Sequence, residues 1–261
     1  MTYENVDVRR ENGVAYLTME GANALNALDD ATTDGLMAAV TDAAEDDDVR
    51  CIVLTGDGDA FGAGADLAQF DGDESDAPEL RRLAAALHDV VLQLHQAPKP
   101  VLTAVNGVAA GAGFSLAIGG DLVVVSEDAA LSYAYPRVGL TGDGGSTFFL
   151  PRLVGLRAAK EILLLDGDLT PADAVDLGIA TEAVPADEFD DRVTELAERL
   201  AAGPTKAFGA TKRLMTESFE NSLAEQLSLE AEAMADATHT EDYARGHAAF
   251  FEKDDPDFVG K

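Results

Sequence analysis

The stretch Asn106 to Asp121, NGVAAGAGFSLAIGGD, decides how the chain is read. It follows an apolar run, Val101-Leu102-Thr103-Ala104-Val105, set off by Pro100, with the length and composition of a buried strand. Gly107, Gly111 and Gly113 come next among small residues, and Phe114, Leu116 and Ile118 then read as the start of a buried helix. A strand that passes through small residues into a helix leaves bare backbone N–H groups at the helix start. Those donors and the helix dipole stabilise negative charge there. The stretch is expected to hold an anion, bound or formed in place.

Upstream, residues 3–20 alternate apolar and polar about Glu11-Asn12-Gly13, a hairpin signal. Asp29 or Asp30 is placed to cap a helix to about Glu45, with Leu36, Met37, Val40 and Ala44 on one face. Cys51 to Leu54 reads as a second strand, with Cys51 as a small core residue rather than a nucleophile. The Gly-rich loop Thr55 to Leu67, TGDGDAFGAGADL, lacks both the spacing of a dinucleotide fingerprint and the Gly-Lys-Ser/Thr of a phosphate loop. It reads instead as backbone brought close to a ligand. Asp71 to Pro78 reads as a mobile acidic loop, and Pro78 to Gln96 as a helix with Leu80, Leu83, Leu87, Val91 and Leu94 in register. His88 and His95 lie on that helix as surface or packing residues, with no third ligand at metal-site spacing.

Downstream, strands are expected at Leu122 to Ser126 and Ala130 to Ala134, before a second Gly-rich loop from Tyr135 to Thr147 and the apolar helix start Phe148-Phe149-Leu150. Strand, turn and helix recur loosely every 50 residues, which points to an α/β spiral of stacked β-β-α turns rather than one doubly wound sheet. From Gly155 the chain reads as helical, over 155–165, 171–177, 187–202, 204–217, 220–236 and 239–252. Residues 1–200 are read as the core with its active-site loops, and 201–261 as a helical region for oligomerisation.

The formal net charge is -31, with acidic clusters at Glu45-Asp46-Asp47-Asp48 and Asp71 to Asp76 and six lysines. That charge suits adaptation to high salt, where self-repulsion is screened, or simply an acidic protein. It argues against nucleic acid as partner. No apolar run reaches membrane-spanning length and the first residues lack signal-peptide character, so a cytoplasmic protein without a membrane partner is expected. Cys51 is the only cysteine, which precludes an intrachain disulfide.

Four segments together resemble the crotonase superfamily, the enoyl-CoA hydratase/isomerase family. They are Asn23 to Leu28 (NALNAL), Phe61 to Leu67 (FGAGADL), Val105 to Gly113, and Gly139 to Phe149. The resemblance covers nearly the whole chain. It implies a β-β-α spiral, assembly into trimers or hexamers as dimers of trimers, and acyl-CoA chemistry of the kind used in fatty-acid β-oxidation. Coenzyme A would arrive as part of the substrate, with no permanently bound cofactor and no metal. By motif, the N–H groups of Ala65 and Ala112 would form an oxyanion hole for the thioester carbonyl, Ala112 standing where the family has a middle glycine. Ala24, Ala63, Asp66 and Leu67 would lie along the substrate, with Asp66 read as the cap of a helix starting at Leu67.

The chain departs from the hydratase pattern at the acids. Where hydratases of the family carry two glutamates, this chain has Ser115 and Tyr135, which could orient substrate or water or simply pack. One acid remains, Asp143, in a G-L-x-x-D-x-G-x-T-x-F-L run that resembles phenylacetate-pathway isomerases. It reads as the base of a double-bond isomerase, or as a helix cap or turn residue. A hydratase with unorthodox acid–base groups and a catalytically silent thioester binder are the other readings. Of the family's basic C-terminal run only Lys253 keeps its place, where it could meet the nucleotide of a neighbouring subunit's ligand.

Overall fold

Asn12 and Gly13 both take positive φ, 51° and 77°, the pairing that matches a two-residue turn to the twist of a hairpin. In the computed structural model, which describes residues 2–21, 23 and 25–261, they join β1 (Val6–Glu11) to β2 (Val14–Met19), with Glu11 opposite Val14. The Asp29 carboxylate accepts from the Thr32 N–H at 2.8 Å and starts α1 (Asp30–Glu45), which buries Leu36, Ala39, Val40 and Ala43.

Three β-β-α turns follow. The first is β3 (Cys51–Gly56), β4 (Ala60–Gly62) and α2 (Ala77–Gln96). The second is β5 (Val101–Val105), β6 (Val108–Ala110) and α3 (Ala112–Ala117). The third is β7 (Leu122–Ser126), β8 (Leu131–Ser132) and α4 (Ser146–Leu165). Each turn gives one strand to a large sheet and one to a small sheet. With β9 (Glu182–Val184) the large sheet runs β1-β2-β3-β5-β7-β9, and the small one β4-β6-β8. The α/β spiral is therefore present, but its period is uneven, because α2 has 20 residues and α3 has 6.

The parallel strands are buried on both faces. On β3, Ile52 and Leu54 join the main core, while Cys51 and Val53 face a second core made with Phe189, Val193 and Leu196 of α6 (Phe189–Ala201). The remaining helices are α5 (Pro171–Asp176), α7 (Thr205–Glu217), α8 (Leu223–Ala237) and α9 (Glu241–Glu252). The chain end is tied back: buried Asp242 accepts from the N–H groups of Val259 (2.7 Å) and Gly260 (2.9 Å). Arg50 donates to the Phe258 carbonyl at 3.0 Å.

Three expectations change. Asp71 to Pro78, read as a loop, has structure of its own: the Asp76 carboxylate accepts from the N–H groups of Asp71 (2.9 Å) and Gly72 (2.7 Å), and Glu74–Asp76 forms a 3-10 turn. The helix start expected at Phe148 and the helix expected over 155–165 are one element, α4 from Ser146, with a break at Gly155 (φ 76°, ψ 161°). The short strands β4, β6 and β9 were not foreseen. Among the described residues no helix is long and apolar enough to cross a membrane.

Candidate active site

The Gly-rich loops exist because two backbones touch. A Cβ on Gly113 would lie 1.8 Å from the Gly62 carbonyl oxygen, so α3 can begin here only with glycine at that position. Gly64 takes φ 87°, and a Cβ on it would lie 3.2 Å from the Ala112 nitrogen. The loop after β4 and the start of α3 are thus in contact through bare main chain.

Among the described residues, two N–H groups are left over at this contact. Leu28 bridges to Ala65 by its N–H to the Gly64 carbonyl (2.7 Å) and its carbonyl from the Asp66 N–H (2.9 Å). Those bonds bracket Ala65 and leave its own N–H out of the pair. Ala112 is the first residue of α3, preceded by Gly111 at φ 55°, and a first-turn N–H has no partner within its helix. Both alanines line one cavity of about 430 Å³. Its apolar walls include Leu28, Leu67, Leu83, Leu87 and Leu140; Ala63, Tyr135 and Asp143 also line it.

Asp143 sits on the wall with its carboxylate turned to α2, where Oδ1 meets Nε2 of His88. The side chains are 28% and 50% exposed respectively; Asp143 lines the cavity, and His88 stands behind it, off the cavity wall. The cap alternative for Asp143 is not realised: Gly145 occupies the cap position of α4 at φ 83° with no side-chain bond. The Asp143 main-chain carbonyl is held by three donors, Ser115 Oγ at 2.8 Å, Ser146 Oγ at 3.0 Å and the Ser146 N–H at 3.2 Å.

Ser115 is fully buried on α3 and does not line the cavity. Tyr135 lines it, lies tilted against Tyr133 at 5.0 Å between ring centres, and has a buried hydroxyl with no hydrogen-bond partner among the described residues. Burial pushes that hydroxyl's pKa up, with Ser115 and Asp143 close enough to influence it, so it stays protonated. Asp66 caps the 3-10 turn Leu67–Gln69 through the Ala68 N–H at 3.2 Å. Ala24 lies outside the described residues. Lys253 ends α9 as an exposed residue at φ 61° and is not on the cavity wall of its own chain.

Sequence reasoning missed three residues. His88, expected at the surface or in packing, is half exposed, yet it is Asp143's partner, and no motif connects two residues 55 apart. Arg81 and Arg137 also line the cavity, Arg137 paired with Asp166 and Asp168 at 2.6 Å each. His95, expected at the surface or in packing, is a packing residue. It meets the Phe149 ring edge-on at 5.2 Å, and burial together with Lys212 lowers its pKa. Among the described residues no three His, Cys, Asp or Glu side chains gather as a metal site.

The Enoyl-CoA hydratase/isomerase family model matches residues 9–261. A protein of Rhodobacter capsulatus named "probable enoyl-CoA hydratase" is 36% identical over 262 residues, covering 100% of both chains. The 1,2-epoxyphenylacetyl-CoA isomerase of Escherichia coli is also 36% identical, over 96% of this chain and 97% of that one. Among solved structures, an enoyl-CoA hydratase from Bacillus anthracis superposes with a TM-score of 0.92 at 28% identity, over 98% of this chain and 100% of that one.

Proposed function

The chain belongs to the enoyl-CoA hydratase/isomerase family, and from that premise we propose that it shifts a C=C bond along the acyl group of an enoyl-CoA thioester. The observation that carries this reading is the pairing of an oxyanion-type contact with a single carboxylate on one cavity wall. The thioester oxygen lies against the N–H groups of Ala65 and Ala112. Asp143 takes a proton from C2 of a 3-enoyl-CoA, and the electron pair moves into the thioester carbonyl to give a dienolate. The two N–H groups stabilise that oxyanion by about 3 kcal/mol each. The proton returns at C4, leaving the 2-enoyl-CoA and a regenerated carboxylate. The acyl group occupies the leucine-lined part of the cavity, and coenzyme A enters with the substrate rather than as a resident cofactor.

Ser115 and Tyr135 favour this reading over hydration by two carboxylates, since neither can act as a carboxylate base. Asp143→Asn keeps the size of the side chain and removes the base. It is expected to lower isomerisation of a 3-enoyl-CoA about 10²–10⁴-fold. Unchanged turnover would sink the proposal.

One observation favours a second reading. His88 against Asp143 supplies two proton-handling groups, enough to activate and deliver water to a 2-enoyl-CoA. This is a hydratase with non-standard acid–base residues. It predicts a 3-hydroxyacyl-CoA product and loss of its formation in both Asp143→Asn and His88→Gln.

A further inference from the structure

We infer that Ser115 is a positioning residue that fixes the carboxylate of Asp143 relative to the oxyanion hole. The inference rests on the reading of Asp143 as base. Ser115 stands three residues after Ala112 on α3, about 4.5 Å along the helix. Its hydroxyl donates across to the main-chain carbonyl of Asp143 at 2.8 Å, shorter than the 3.3 Å to its own helix carbonyl at Gly111. From the other side, Ser146 Oγ and N–H hold the same oxygen at 3.0 and 3.2 Å. The Asp143 carbonyl is therefore the junction between the helix that presents Ala112 and the helix that follows Asp143.

The junction is tight as well as polar. Gly144, at φ 58°, lies flat on Ser115: a Cβ there would come 2.8 Å from Ser115 Cβ. A longer side chain at 115 would lift the loop that carries Asp143. The site where the resemblance leads one to expect a reacting carboxylate thus holds a buried, one-carbon tether. A tether of this kind acts on rate, because misplacing a reacting group by about 1 Å can cost 10²-fold while the substrate still binds. It is not needed to satisfy the carbonyl, which keeps both bonds from Ser146 when the Ser115 hydroxyl is removed. The fold is expected to survive Ser115→Ala for that reason.

The test is a double-mutant cycle on isomerisation of a 3-enoyl-CoA, comparing wild type, Ser115→Ala, Asp143→Asn and the double variant. Ser115→Ala is expected to lower kcat about tenfold or more with KM within about twofold, and to add nothing in the Asp143→Asn background. Ser115→Cys, with a weaker donor of similar shape, is expected to fall between serine and alanine. Equal losses in both backgrounds would assign Ser115 a merely structural role and overturn the inference. Full turnover by Ser115→Ala beside an inactive Asp143→Asn would overturn it alone; full turnover by Asp143→Asn would remove the base and the inference together. If Ser115→Ala fails to fold, Gly144→Ala disturbs the same junction from the loop side. It must then show the same kcat-selective loss, and a wild-type kcat there would equally overturn the inference.

Discussion

At the scale of single residues, the site depends on what is missing from side chains as much as on what is present. Gly113 has no room for a Cβ against the Gly62 carbonyl. Gly113→Ala must push β4 from α3, at a cost of about 1–3 kcal/mol, and it moves Ala112. The expected outcome is a lowered melting temperature together with a fall in kcat/KM, read by calorimetry and by steady-state assay. That glycine was legible in the sequence, because its spacing from Ala112 and Ser115 belongs to a motif. His88 was not, since its role comes from two elements meeting across 55 residues. In the isomerase reading His88 orients Asp143, and His88→Gln is expected to lose about tenfold in turnover, much less than Asp143→Asn. Equal losses would favour His88 as a proton carrier in its own right. Cys51 is fully buried and its thiol is pushed up to about 12 by burial, so thiol reagents at pH 8 should label the unfolded but not the native protein.

At the scale of elements, periodicity served long segments well and short ones poorly. The hairpin and the helices α1 and α2 follow from alternation, caps and leucine register, all local signals. β4, β6 and β9 have three residues each, too few to show a period, and they pair only because the spiral brings them together. The start of α4 was legible near Phe148, but the break at Gly155 divided the helix into two readings. Packing of α2 on α4 makes a pH prediction. His95, against Phe148 and Phe149, has its pKa lowered below the ordinary 6.5, first by burial and then by Lys212. The unfolded chain therefore binds the proton more readily than the native one. His95 costs stability as pH falls below about 6.5, until the folded imidazole protonates too. His95→Phe should flatten that acid limb, so its urea midpoint relative to wild type rises from pH 7.5 to pH 5.5. A constant difference across that range would contradict the assignment.

At the scale of the whole molecule, two features stand apart from the candidate site. The first is the charge of -31, which self-repulsion makes costly in dilute buffer. Raising KCl to about 1 M shortens the Debye length to ~3 Å, and the melting temperature is expected to rise with it. A melting temperature that stays level or falls would leave an ordinary acidic protein. The second is the apolar surface of the C-terminal helices: Leu223, Met234, Phe250 and Phe251 are at least 69% exposed in the single chain. Such faces call for cover by another surface. The fold was legible because four motifs lie along nearly the full length. The sequence narrows the reaction only through Ser115, Tyr135 and Asp143, since proton transfer depends on distances between loops far apart in sequence.

In the proposed isomerase, Asp143 carries a proton from C2 to C4 of an enoyl-CoA held by Ala65 and Ala112. The most direct measurement follows a 3-enoyl-CoA by NMR in deuterated water with wild type and Asp143→Asn. Wild type is expected to yield the conjugated 2-enoyl-CoA as first product, and Asp143→Asn to form it at least about 10²-fold more slowly. Isomerisation at the wild-type rate by Asp143→Asn, or a wild type that leaves the 3-enoyl thioester untouched while hydrating 2-enoyl-CoA, would contradict it.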